Sequence, residues 1–336
     1  METFNDCKQA LLGFESARVI GQTMTTKKAE GFSSGYLAVF ATVVIWSTPS
    51  LFQFYLIRYY EPWSQNFYRY LVAFFAVLPF VFLRFRAKGG RLDRAAFVAC
   101  LIPSLPNVVH QITQTVALYH MGPGVYAIFG RSTVIFTAVL AVIFFPEERH
   151  IIRQWQFQVG TALGLIGAIG VVYFQEGWQA GAMPLRGFAI AFVASFCWAL
   201  YSVLVKRPSA MLGPIRSFGI VSFITSLLLL PLTVVFGKIE TPLRVDAGVN
   251  LILIVSAVTC ISLAHVLYYV AIKKVGVALS QTLQLICPAG ALGLSALFFG
   301  ERLTPAQLWS AGLLLFGAFL AMRVKPAADP AALEEV

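Results

Sequence analysis

The sequence predicts an all-α membrane protein with ten transmembrane helices, arranged as two inverted repeats of five helices. Composition is the first reason, since 58% of the 336 residues are hydrophobic, 12% are charged and the mean hydropathy is +0.77. Soluble domains carry about twice this share of charged residues. So much apolar surface cannot be hidden in one water-soluble core, and the solvent must therefore be lipid.

The second reason is a series of ten apolar stretches, because a helix needs about 20 mostly apolar residues to span a bilayer. The segments between them are short and leave no room for a soluble domain between two spans. The predicted spans are 35–58, 64–84, 96–119, 123–145, 153–174, 187–206, 215–236, 249–272, 275–299 and 304–323.

The basic residues predict the orientation, because Lys and Arg accumulate in cytoplasmic loops. With the N-terminus inside, eighteen of the 25 lie on the cytoplasmic side, five lie on the other side, and Arg69 and Arg131 lie within spans. The protein is therefore expected to span a bacterial-type inner membrane with both termini in the cytoplasm. The same clusters account for the net charge of +10 without a nucleic-acid-binding face.

This orientation divides the chain into four parts. They are a cytoplasmic N-terminal segment 1–33, a first five-helix repeat 34–174, a second repeat 187–323 and a cytoplasmic tail 324–336. Met24 precedes Thr-Thr-Lys-Lys and the first long apolar run, so we hypothesise that translation starts there and that residues 1–23 are not translated. The apolar stretch 10–14 is too short for a signal peptide.

The third reason is an internal repeat. A shift of 154 residues places Gly122 on Gly276, the stretch 144–147 on 298–301 and Trp155 on Trp309, and a shift of 152 places Trp46 on Trp198 and Pro79 on Pro231. Because five is odd, the second copy would cross the membrane in the opposite sense. Inverted repeats are typical of transporters whose two halves rock around a site at the bilayer midplane.

The stretch 276–302 carries Pro288 inside its helix and ends in Phe-Phe-Gly-Glu-Arg. It resembles the EamA repeat of the drug/metabolite transporter superfamily, as do the early tryptophans of spans one and six and Arg69 in span two. In the first repeat, Val134 stands where Pro288 stands in the second. The resemblance implies ten helices in two inverted repeats and a cavity lined mainly by spans one, three, four, six, eight and nine. It does not imply one substrate, because members move amino acids, sugars, nucleotide sugars and drugs.

Arg131 lies eight residues into predicted span four. An arginine at this depth costs at least about 2.5–3.5 kcal/mol, so it normally faces a cavity or a partner. All fifteen acidic residues lie in termini, loops or helix ends. We therefore expect its counter-ion to arrive with the substrate, as a carboxylate, phosphate or sulfonate. The alternative is a structural arginine bound to the carbonyls of a kinked helix. Arg69 is a weaker candidate of the same kind, because it lies only about five residues into span two, and we favour snorkelling to the outer interface.

Polar side chains form stripes on three spans. Asn107, His110, Gln111 and Gln114 follow the i, i+3, i+4, i+7 spacing of one helix face on span three, Ser256, Thr259, Ser262, His265 and Tyr269 lie on span eight, and Gln281 and Gln284 lie on span nine. Lipid cannot face such stripes, so they line a solvated pathway or bond to neighbouring helices. His110 and His265 are also the mid-span groups that titrate near neutral pH, so either they couple protons or transport is exchange or facilitated diffusion.

Aromatic side chains lie on the same spans and could stack on a solute, with ordinary packing as the alternative. They are Trp46, Tyr126, Trp198, Tyr201, Tyr268 and Tyr269.

Span five carries a glycine ridge, which we expect to pack against span ten at Gly312 and Gly317. The ridge consists of Gly160, Gly164, Gly167 and Gly170, and it could also join two copies in a homodimer. Five scattered cysteines without CxxC spacing predict neither a disulfide nor a metal site, and nothing implies a cofactor.

These observations favour a secondary transporter, an exporter or exchanger of a small anionic or zwitterionic metabolite such as an amino acid, that works by alternating access. Its partners would be the solute and the lipid bilayer. Efflux of lipophilic cationic drugs is the alternative, disfavoured because a cation would meet Arg131 with no acid to balance it. A membrane-embedded enzyme is a distant alternative, since HExxH, GxSxG and paired intramembrane aspartates are absent from the sequence.

Overall fold

The computed structural model describes residues 33–88, 94–120, 126, 130–174, 185–299 and 304–324. The hypothesis on residues 1–23 lies outside these ranges. The helices are α1 (33–46), α2 (Pro49–Leu56), α3 (Pro62–Lys88), α4 (Arg94–His120), α5 (Thr133–Phe144), α6 (Arg149–Arg153), α7 (Trp155–Tyr173), α8 (Leu185–Leu204), α9 (Lys206–Leu212), α10 (Pro214–Phe236), α11 (Thr241–Arg244), α12 (Ala247–Ser256), α13 (Ala264–Val275), α14 (Val277–Leu283), α15 (Cys287–Phe299) and α16 (Pro305–Met322). A π-helical turn, Ala257–Leu263, joins α12 to α13, and 3₁₀ turns form at Pro146–Glu148 and Gln284–Ile286.

Eight helices in the described ranges are long and apolar enough to cross a membrane, and they coincide with eight of the predicted spans. They are Ser33–Leu56, Pro62–Arg84, Arg94–His120, Trp155–Tyr173, Arg186–Leu212, Pro214–Phe236, Ala247–Val275 and Pro305–Met322. Their lipid-facing side chains stay exposed in the isolated chain, as Phe80, Leu83 and Phe316 show. The chain is therefore a multi-pass helical membrane protein.

Predicted spans four and nine are interrupted rather than continuous helices. In span nine, the 3₁₀ turn Gln284–Ile286 separates α14 from α15. Pro288 explains this turn, because proline has no N–H and its ring clashes with the carbonyl of the residue four positions earlier, here Gln284. In span four, α5 has only 12 residues and follows a turn at 131–132. Val134 occupies the position equivalent to Pro288, so proline does not account for that turn.

The glycine ridge of α7 packs against α16, as predicted. A Cβ added at Gly160 would lie 2.6 Å from the carbonyl oxygen of Gly317, so only glycine permits this approach of two backbones. The predicted contact at Gly312 is wrong, since an added Cβ there meets nothing within 4 Å. Because α16 of the same chain covers the ridge, a homodimer would need a different face.

A buried carboxylate ties three separate segments together at one end of the bundle. Glu148 is 2% exposed and accepts hydrogen bonds from the backbone N–H groups of Val277 and Ala278, both at 2.9 Å. The Nζ of Lys206 forms an ion pair with Oε1 of Glu148 at 2.6 Å. Gly276, at φ +90°, places the start of α14 against the carboxylate, and an added Cβ would lie 3.2 Å from it. We call Glu148, Lys206, Val277 and Ala278 the carboxylate junction.

Candidate functional site

A cavity of about 180 Å³ lies where the two interrupted spans meet. Its wall comes from the end of α1, from α2, α3, α4 and α8, from the π-helical turn and from the residues around both breaks. One water needs roughly 10–15 Å³ in such a cavity, so this one has room for a small solute.

Arg131 lies at the break of span four and contacts the break of span nine. Its Nη1 donates to the carbonyl oxygen of Gln284 at 3.1 Å. Pro288 lacks the N–H that would bond this carbonyl in a regular α-helix, and the carbonyl accepts the backbone N–H of Cys287 and the guanidinium of Arg131 instead. The sequence of one repeat thus shapes the acceptor for the arginine of the other. The contact matches the structural alternative for Arg131, a bond to a kinked helix. Arg131 also lines the cavity, with Tyr126, Gln281 and Gln284.

The polar stripe of α4 divides into two parts. His110, Gln111 and Gln114 line the cavity. Asn107 does not, because its amide is fully buried between helices and donates to Tyr70 at 2.9 Å and Thr225 at 3.2 Å. The stripe thus lines the cavity at one end and forms an interhelical hydrogen-bond network at the other.

Trp46, Trp198 and His265 form an aromatic wall of the cavity. The ring centroids of Trp46 lie 5.3 Å from those of both Trp198 and His265. The indole N–H of Trp46 donates to the carbonyl oxygen of Cys260 at 2.9 Å. Cys260 lies in the π-helical turn, and such turns loosen the regular bonding of the helix and recur at functional sites. The turn also brings Cys260 and Ile261 to the cavity, a feature that the sequence did not predict.

Tyr201 and Tyr269 do not line the cavity, although we predicted both as site residues. Their hydroxyl groups bond to each other at 2.6 Å, and both side chains are fully buried. The pair satisfies its own polar atoms within the packed helices, which is the ordinary-packing alternative.

Arg69 lines the cavity, and the prediction that it snorkels to the outer interface is wrong. Its side chain is 2% exposed, and its Nε donates to Ser256 at 3.2 Å. Its Nη1 has no partner among the described residues. Helix α3 begins at Pro62, so Arg69 lies about two turns into the membrane helix. The signal that we underweighted is Ser256, the first member of the polar stripe on span eight.

Other cavity residues also carry buried polar atoms without a hydrogen-bond partner among the described residues. Gln53 Oε1, His265 Nε2 and Gln284 Nε2 are buried and have no partner within the described ranges. The Nδ1 of His265 lies 2.9 Å from the Ile261 carbonyl oxygen, which can only accept, so Nδ1 carries the hydrogen and neutral Nε2 is an acceptor. Buried polar atoms normally find partners, so the unused ones mark places where a solute or water binds.

The described part of the cavity wall is positively charged. It includes two guanidinium groups, Arg69 and Arg131, and no carboxylate. Arg69 is 2% exposed and forms no ion pair with a described residue, and burying an ion without a counter-charge costs several kcal/mol, so this wall favours an anionic group in the cavity.

A bundle of membrane-length helices around a polar cavity defines the chain as a membrane transport protein. The particular family follows from comparison with known proteins. The chain belongs to the EamA-like transporter family, whose family model matches residues 33–173 and again residues 185–323. Its relatives are transporters and not enzymes.

Three relatives illustrate the similarity. An uncharacterized transporter of Clostridium kluyveri is 25% identical over 80% of this chain and 86% of its own length. An uncharacterized transporter of Haemophilus influenzae is 24% identical over 59% of this chain and 66% of its own. The threonine/homoserine exporter RhtA of Escherichia coli is 29% identical over 54% of this chain, and the match spans only 57% of the exporter.

A solved crystal structure shares the fold. It superimposes with a TM-score of 0.70 at 18% identity and covers 86% of this chain and 96% of its own.

Proposed function

We propose that this protein is a secondary transporter, an exporter or exchanger of a small anionic or zwitterionic metabolite such as an amino acid. The observation that carries the proposal is the cavity at the two helix breaks, whose described wall holds two arginines and no carboxylate. The name of the relative RhtA, a threonine/homoserine exporter, points to the same chemical class.

The proposed mechanism is alternating access by two inverted five-helix repeats, with spans four and nine completing a set of ten. The packing supports it, because replacing each span by its counterpart in the other repeat turns the following pairs of packed helices into themselves or into another observed pair. The pairs α3–α10 and α7–α16 map onto themselves. The pair α5–α8 maps onto the contact of α1 with span nine, where Cys287 donates to the Val43 carbonyl oxygen at 3.8 Å. Discontinuous helices at such a site are common in transporters of this design.

We also propose that the protein lies in a bacterial-type inner membrane with both termini in the cytoplasm. The excess of Lys and Arg on one side supports this orientation. Fusion of alkaline phosphatase and of a green fluorescent protein to the C-terminus tests it. Fluorescence without phosphatase activity is expected, and the reverse result contradicts the orientation.

Efflux of lipophilic drugs is the second candidate, and the aromatic wall of Trp46, Trp198 and His265 is the observation that favours it. Aromatic faces attract flat apolar solutes and cations. The charge of the cavity argues against cationic drugs, because they would approach Arg69 and Arg131.

Uptake into proteoliposomes that contain the purified full chain distinguishes the two candidates. The panel contains radiolabelled amino acids, organic acids and quaternary ammonium dyes, each with and without a pH gradient. We expect carboxylate-bearing solutes to move, and solute-dependent exchange to accelerate them. Movement of the dyes without movement of carboxylates would reject the proposal in favour of drug efflux.

A further inference from the structure

Arg69 is the second guanidinium group of the cavity wall, and the proposed function, which uses the positive charge of this wall, does not by itself require two such groups. A zwitterionic solute such as threonine carries one carboxylate and no net charge. Arg131 at the helix breaks is sufficient for that carboxylate. A second guanidinium in the same wall has no purpose for such a solute and raises the cost of holding it there.

The described surroundings of Arg69 do not neutralise its charge. Its Nε donates to the hydroxyl of Ser256, and a hydroxyl carries no charge. No carboxylate within the described ranges forms an ion pair with Arg69, and its Nη1 stays unbonded at 2% exposure. A bidentate acceptor such as a carboxylate matches a guanidinium with free N–H groups.

Arg69 and Arg131 approach the cavity from different elements. Arg69 projects from α3 and is held at the end of α12 through Ser256. Arg131 precedes α5 and is held at the break of span nine through Gln284. Two guanidinium groups that are held by separate elements can each bond one carboxylate of a solute that carries two.

We propose that the cavity selects a solute with two separated anionic groups, a dicarboxylate or a close analogue, and that Arg69 is the residue that recognises the second group. This inference rests on the proposed function and narrows its substrate class. Because Arg69 is almost enclosed, the second group reaches it when the cavity widens during transport.

The experiment compares matched solutes that differ by one charge. Malonate, succinate and glutarate are each tested against the corresponding half-amide, in proteoliposome exchange and in thermal shift of the purified full chain at pH 7.5. A hydrogen-bonded charge contributes enough to make a diacid of suitable length about tenfold to 100-fold tighter than its half-amide.

Arg69→Gln is expected to remove this difference by weakening the diacid to the level of the half-amide. Arg69→Lys should restore part of it, since the charge returns without the bidentate geometry. Arg216→Gln is the matched control, because Arg216 is also a buried arginine, 8% exposed, but does not line the cavity. It should keep the preference for the diacid.

A melting temperature separates recognition from a structural role. Removing a buried charge that has no counter-charge should leave the solute-free melting temperature of Arg69→Gln unchanged or higher. A lower melting temperature with the diacid preference intact would overturn the role of Arg69. Half-amides or neutral amino acids that bind as well as every diacid would overturn the dianion inference and leave the proposed function standing. Failure of every carboxylate to move would reject the proposed function itself.

Discussion

The carboxylate junction and the cavity treat buried charge in opposite ways. At the junction, Glu148 accepts hydrogen bonds from two backbone N–H groups and forms an ion pair with Lys206, so its charge is balanced within the chain. In the cavity, Arg69 donates one hydrogen bond to the Ser256 hydroxyl, and its Nη1 has no partner among the described residues. We infer from this difference that a buried charge with partners in the chain stabilises the fold, whereas a buried charge with an unbonded N–H group binds a ligand. Removing a residue from the junction should cost stability, whereas removing one from the cavity should cost binding.

The largest effect is expected at Glu148. Glu148→Ala leaves two N–H groups of α14 without their acceptor and the Lys206 ammonium with only the exposed Glu147, and breaking a buried pair in this way costs roughly 3–5 kcal/mol. Thermal denaturation of the detergent-purified protein measures the loss. The matched control is Glu147→Ala, because Glu147 also contacts Lys206, at 3.1 Å, but its side chain is 61% exposed. An exposed pair of this kind contributes about 0–1 kcal/mol. Equal losses in the two variants would remove the contrast between the junction and the surface.

The second effect concerns Arg131, which belongs to the cavity. Arg131→Ala should leave expression and monodispersity largely intact and raise the apparent KM for the transported solute by about tenfold to 100-fold, since it removes a charged hydrogen bond. Arg149→Ala is the control. Arg149 also donates to a helix carbonyl, that of Val142 at 2.9 Å, but lies outside the cavity. An unfolded Arg131→Ala protein would show that the bond to Gln284 is its main role.

A smaller effect is expected where the two repeats touch through α7 and α16. Gly317→Ala places a Cβ 2.6 Å from the Gly160 carbonyl oxygen, and a backbone cannot yield as a flexible side chain does. Overpacking of this kind costs roughly 1–3 kcal/mol. Gly312→Ala lies on the same helix with nothing within 4 Å and should be neutral or slightly stabilising, because alanine favours helix. Similar melting temperatures for the two variants would contradict the close approach.

The sequence predicted the helical membrane fold, and most of the residues that line the cavity, for identifiable reasons. Hydropathy located eight spans because lipid exposure imposes long apolar runs. The polar spacing on α4 predicted His110, Gln111 and Gln114, since a polar helix face must avoid lipid. Spans four and nine were predicted as continuous because hydropathy reports length and not helical hydrogen bonding.

Other positions depended on tertiary contacts that no local pattern reveals. Asn107, Tyr201 and Tyr269 have the same polar character as the cavity residues, and only their partners on neighbouring helices show that they are satisfied elsewhere. Arg69 was misplaced for the same reason, because its distance from a helix end did not reveal that Ser256 of span eight lies against it.

The smallest expected effect is the pH dependence of the junction's exposed edge. Partial burial alone would raise the pKa of the Glu147 carboxyl, but its own backbone N–H and Lys206 outweigh this and hold the pKa below its usual range. A carboxylate with a lowered pKa in the folded state stabilises the protein above its unfolded pKa of about 4.3 and loses that contribution as the pH falls through the folded value. Wild-type protein should therefore lose slightly more stability than Glu147→Gln between pH 6 and pH 4, by less than about 1 kcal/mol because the pair is screened by solvent. Melting curves at both pH values measure it, and a steeper loss in Glu147→Gln would mean that Lys206 depends on Glu148 alone.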